Sequence, residues 1–255
     1  MAGPLPHTSQ VDQWADDYLS DAESRFKQSI AKVRKTSAFR EIYWSSLAAD
    51  GIFEKLSTPQ WKPQSRAGRS VILRIPLLAA AGQVSVAKVE LRRLVELTFW
   101  TIYFSEHPVE WSSFKASPSD GFFPNIDKPI RYCAHRGLKF YLDYAAERFE
   151  QEPSGLAIEA VKQIRAAGDQ MNAIVHPAQL SVTPGRIPPF EDVSESALRA
   201  FCKIQKSVCS NVCIALAAMF TQKFNKLPPM YRANFDRLIG STTAKQLRSG
   251  AFGLA

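Results

Sequence analysis

The residues best spaced for chemistry are Arg165, Asp169, Asn172 and His176, followed directly by Pro177. On a helix, steps of four, three and four residues set these side chains along one face. Ala157, Val161, Ile164, Met171 and Val175 form a separate apolar stripe for the core. Proline disfavours helical geometry in the residue before it, so His176 is expected at the helix's last turn. His176 can change charge near neutral pH, and Asn172 can both donate and accept hydrogen bonds. Phosphodiester cleavage without a metal needs such an acid–base group, plus a cation for the developing oxyanion. Arg92, Arg93 and Arg165 are the candidate cations, each supplied from another turn or helix. The competing reading is that His176 caps the carbonyls at a helix end, where positive charge is favoured.

A second candidate is Glu96, which stands inside the apolar run LVELTFWTIYF of residues 94–104. A buried carboxylate needs a partner or takes up a proton. The sequence therefore predicts a largely buried Glu96 bonded to an arginine or another polar group on a neighbouring helix. Arg92 and Arg93 lie within one turn of it.

Charge marks a third candidate. The chain carries a net charge of +8, and residues 60–93 hold seven basic residues against one acid, Glu90. This balance favours a polyanionic partner, RNA or DNA first. Arg66, Arg69 and Arg74 are the expected nucleic-acid contacts, on a loop over residues 57–70 and the start of the helix after it. The alternative is an ordinary solvated surface.

Other chemistries have no matching pattern. The chain lacks a phosphate-binding G-x-x-x-x-G-K-S/T loop, a G-x-G-x-x-G fingerprint, an H-E-x-x-H pair and a G-x-S-x-G elbow. The four cysteines, Cys133, Cys202, Cys209 and Cys213, do not pair with the four scattered histidines in a zinc pattern. They are expected to be small core residues, and no metal or cofactor is expected. The start MAGPLPHTSQ has neither a basic n-region nor an apolar core, and no stretch is long enough to span a membrane. The expectation is a cytoplasmic protein with reduced thiols.

Helical periodicity must position these candidates. Residues 10–35 carry Val11, Trp14, Tyr18, Ala22, Phe26, Ile30 and Val33 at steps of three and four. Acids fill the first half of this helix and bases the second, the order the helix dipole favours. Further helices are expected over 38–56, 71–104, 130–150, 156–176 and 194–227, the last capped by Ser194. That last helix would run the height of a bundle or project from it as a dimer element. The expected fold is all-α, one bundle of about six or seven helices. Residues 1–70 pack on a core over 71–227, and 228–255 form a basic tail.

Leu91-Arg92-Arg93-Leu94-Val95-Glu96-Leu97, running into an aromatic helix, and Asn172-Ala173-Ile174-Val175-His176 at the end of a later one together resemble the HEPN superfamily. These are helical proteins of prokaryotic defence and toxin systems. The resemblance covers roughly residues 71–227. It implies a HEPN-like core and, in ribonuclease members, an arginine four to six residues before a histidine. Asn172 and His176 match the later part of that motif, whereas Met171 occupies the arginine position. Methionine cannot stabilise a phosphate anion. The resemblance therefore implies a non-enzymatic or degenerate accessory protein that binds nucleic acid or a partner subunit. The alternatives are a metal-independent ribonuclease using His176 and a structural adaptor forming a homodimer.

Overall fold

A computed structural model describes residues 8–59, 61–115, 138–150, 155–175 and 194–246. These residues form an all-α bundle with no strand among them. Six helices have 19 residues or more: α1 (Thr8–Val33), α2 (Ser37–Leu56), α3 (Lys62–Ala80), α4 (Val84–Glu106), α7 (Leu156–Val175) and α8 (Glu195–Met219). Shorter helices are α5 (Pro108–Lys115), α6 (Leu138–Arg148), α9 (Thr221–Phe224), α10 (Pro229–Ile239) and α11 (Ser241–Gln246).

Local sequence explains the boundaries. The Thr36 hydroxyl accepts from Phe39 N at 3.2 Å and caps α2. The Ser194 hydroxyl accepts from Ala197 N at 3.1 Å and caps α8, as the sequence predicts. Gly82, at φ 79°, makes the sharp turn between α3 and α4, a conformation that suits glycine. This turn divides the single expected helix over 71–104.

The expected loop over 57–70 is corrected by the structure, because α3 begins at Lys62. Pro63 lies in the helix's first turn, where its missing N–H costs nothing. Gln64, Ser65 and Gly68 then face inward, so this stretch is core rather than connection.

Helix α8 is the axis of the bundle. It packs on α2, α4, α7 and α10, and Phe201, Val208, Val212 and Leu216 are fully buried along it. It ends at Met219 and α9 follows, so it is shorter than expected and does not project. Helix α4 packs against α8 and meets α3, α6 and α7 as well. Leu94, Val95, Phe99 and Ile102 have no exposed surface, which fits the apolar run. Residues 229–246 continue the fold rather than trailing from it: Phe235 and Leu238 of α10 are buried against α2 and α8.

Candidate functional site

Asn172 lies on α7, but its side chain and the whole of His176 fall outside the described residues. Two of their companions are placed. Arg165, on α7, forms an ion pair with Asp143 of α6, and both side chains are substantially exposed. Asp169 is exposed one turn further along α7. Val161, Ile164 and Met171 face the core, so the separation of polar row from apolar stripe holds over this part of the helix.

Glu96 meets expectation in part: an arginine pairs with it, on its own helix. Its partner is Arg92 on the same helix, 2.9 Å away, not a group on a neighbouring helix. Its side chain retains 31% exposure, so it is not largely buried. An amphipathic edge of α4 explains this: Glu96, Leu97 and Trp100 lie at the rim of the buried surface while Val95, Thr98 and Phe99 lie inside. Partial burial still pushes the carboxyl above its usual range, outweighing the attraction of Arg92 and Arg93. Arg93 itself is exposed.

Three of the seven bases of the run, Arg69, Arg74 and Arg92, are paired with acids in three dimensions. Arg69 meets the Asp50 carboxylate bidentately, with Nε at 2.7 Å and Nη2 at 3.1 Å, and also reaches Glu54 at 3.1 Å. Both acids come from α2. Arg74 pairs with Glu90 of α4 at 2.9 Å. Only Arg66 of the three expected nucleic-acid contacts is exposed with no ion pair among the described residues, and Lys62 lies exposed one turn before it. Of the three arginines, Arg69 and Arg74 are engaged by acids of α2 and α4, and Arg66 with Lys62 forms an exposed basic edge at the start of α3.

Beside that edge, α3 and α4 expose apolar side chains in helical pairs. Leu73 and Leu77 are 43% and 58% exposed, and Val86 and Val89 are 46% and 39% exposed. Scattered single apolar residues on a surface are ordinary, whereas these four stand in pairs at helical spacing on two consecutive helices.

A further polar cluster lies at the end of α4. Tyr144 donates to Glu106 Oε2 at 2.5 Å, and Arg148 Nε donates to Glu106 Oε1 at 2.8 Å. Burial, then the bond to Glu106, raises the Tyr144 phenol above its ordinary range. His107 Nδ1 lies 2.7 Å from the Tyr103 carbonyl, which requires the ring to donate there. The imidazole stacks on Tyr103 with centroids 4.1 Å apart and meets Tyr144 edge-on. Glu106, His107, Tyr144 and Arg148 are joined by tertiary contacts up to 42 residues apart, which no local spacing reveals. Their polar groups bond to one another or to backbone, an arrangement that fixes α4 against α6.

Cys209 and Cys213 are fully buried one turn apart, and burial pushes the Cys209 thiol up to about 12. Among the described residues no group of three or more His, Cys, Asp or Glu could hold a metal ion. Nor is any described helix long and apolar enough to cross a membrane. Compared with family models, curated proteins and solved structures, the chain gives no significant match.

Proposed function

We propose that this chain is a non-enzymatic helical binding protein with a HEPN-like core, and that its partner is another protein subunit. The prokaryotic defence or mobile-element setting follows from the resemblance of the Leu91–Leu97 and Asn172–His176 segments alone. One observation carries the choice of partner class. Acids from α2 and α4 neutralise Arg69 and Arg74, whereas Leu73, Leu77, Val86 and Val89 stay open to solvent. A surface on which Arg69 and Arg74 are already neutralised and apolar side chains stand open beside them suits a protein better than a phosphate backbone.

Co-purification from the native host tests this reading. The parent chain should retain a stoichiometric partner, and Leu73→Glu/Leu77→Glu should release it without loss of helicity. Retention by the double variant would remove this face from consideration.

A nucleic-acid reading has its own support in exposed Lys62 and Arg66 at the start of α3. It predicts RNA or DNA binding that weakens in Arg66→Ala. The ribonuclease reading predicts RNA cleavage that is lost in His176→Ala; intact RNA after prolonged incubation with the parent protein would exclude it.

A further inference from the structure

Helix α1 is attached to the bundle at one end. Val33 is buried there, and the Ser29 hydroxyl donates to the Ala80 carbonyl at the close of α3 at 2.9 Å. From Thr8 to Ser29 the helix extends about 32 Å. Every side chain described between Asp12 and Asp21 is exposed, including Tyr18 at 58% and Leu19 at 61%. In proteins most of a helix's stability comes from packing its amphipathic face rather than from propensity. The open apolar strip continues through Ala22, Phe26 and Ile30, with Glu23, Lys27 and Arg34 along its rim.

Charge identifies what covers the strip. Asp12, Asp16, Asp17, Asp21 and Glu23 occupy the first half, and Arg25, Lys27, Lys32, Arg34 and Lys35 occupy the second half and the turn after it. The central charges are matched within the helix, Asp21 with Arg25 at 2.8 Å and Glu23 with Lys27 at 2.6 Å. The outer charges set a direction. A parallel neighbour of the same sequence would face acid with acid and base with base. An antiparallel neighbour faces each half with its opposite.

We propose that α1 pairs with α1 of a second copy of this chain, antiparallel, about a two-fold axis level with Ser24. This register sets Tyr18 beside Ile30 and Ala22 beside Phe26, large against large and small against large. It also brings Asp16 and Asp17 alongside Lys32 and Arg34 of the second copy. A two-fold interface repeats every such contact, so each match counts twice. The proposal goes beyond the partner-binding reading above and uses a different face: α1 assembles copies, while α3 and α4 present Leu73, Leu77, Val86 and Val89.

Sedimentation velocity on the full chain tests the pairing. The parent should be dimeric at tens of micromolar and dissociate as salt rises. Asp16→Lys/Asp17→Lys should be monomeric, and so should Lys32→Glu/Arg34→Glu, because each gives the outer charges at the two ends of α1 the same net sign. All four positions are exposed or lie outside the core, and circular dichroism of each variant should match the parent. Mixing the two variants should restore a species of dimer mass, which a folding defect cannot do. A parent that stays monomeric at several hundred micromolar would overturn the proposal. So would a dimer untouched by either reversal, which would place the contact elsewhere or in parallel.

Discussion

Gln205 joins two helices whose contacting residues are about 160 positions apart. Its Oε1 accepts from the Ser45 hydroxyl at 2.8 Å, and its Nε2 donates to the Ser46 hydroxyl at 3.1 Å. The same nitrogen lies 3.3 Å from Cys209 Sγ. All four residues have no exposed surface. Removing the amide leaves a cavity and takes the Ser46 hydroxyl's partner away. Gln205→Ala should therefore lose about 2–4 kcal/mol, read as a lower midpoint in urea at constant slope. An unchanged midpoint would show that the network adds nothing net. Glu96 should behave in the opposite way. Because the folded carboxyl binds its proton more tightly than the unfolded one, ionisation costs stability as pH rises through the raised folded value. That cost is absent below the unfolded value of 4.5. Glu96→Gln keeps a hydrogen-bonding partner for Arg92 and removes the charge. It should equal or exceed the parent at pH 7 by less than about 1 kcal/mol, and the gap should close below the unfolded value. Melting curves across pH check the sign. A variant clearly weaker at pH 7 would mean that the ion pair outweighs desolvation.

At the level of elements, α3 shows best what the sequence disclosed and what it concealed. The run TFWTIYF reads as a buried helix because apolar residues cover nearly every side, and α4 buries it. The stretch 57–70 reads as a loop because its composition is polar and proline-rich, yet most of it is helix. Pro63 begins α3, and Gly68 serves close packing instead of a turn. A Cβ placed on Gly68 would come within 2.7 Å of Phe53 Cε1, and Phe53 is fully buried. Propensity favours alanine over glycine inside a helix by about 1 kcal/mol. Overpacking works against it by about 1–3 kcal/mol. Because Phe53 is fully buried, its ring must shift within the packed core, and Gly68→Ala should be destabilising, with a lower melting temperature. Stabilisation instead would show that α2 and α3 can part by a few tenths of an ångström. The boundary of α8 was readable for the opposite reason: Ser194 is a local signal, and its cap depends only on residues three positions away.

At the scale of the whole molecule, net charge is legible in sequence and its distribution is not. Counting residues 60–93 gives seven bases and one acid, but Asp50 and Glu54 lie before that window and still neutralise Arg69. Glu90 takes Arg74, and Glu96, just past the window, takes Arg92. This pairing limits how the chain can meet a polyanion. Four of the seven bases, Lys62, Arg66, Lys88 and Arg93, have no ion pair among the described residues. Each phosphate neutralised contributes about 0.7–0.9 to the slope of log K against log salt. Binding of single- or double-stranded nucleic acid through this face should therefore show a slope no steeper than about −3 to −4. At that limit it should weaken about 50- to 150-fold between 50 mM and 200 mM salt. Fluorescence anisotropy with labelled RNA and DNA, repeated at a series of salt concentrations, measures it. Arg66→Ala should flatten the slope by about one contact, whereas Arg69→Ala should act mainly on stability by leaving Asp50 unpaired. A slope near about −5 to −6 would mean that the bound state breaks the pairs of Arg69, Arg74 and Arg92 and turns the whole basic run toward phosphate. The partner-protein reading would then give way to the nucleic-acid one.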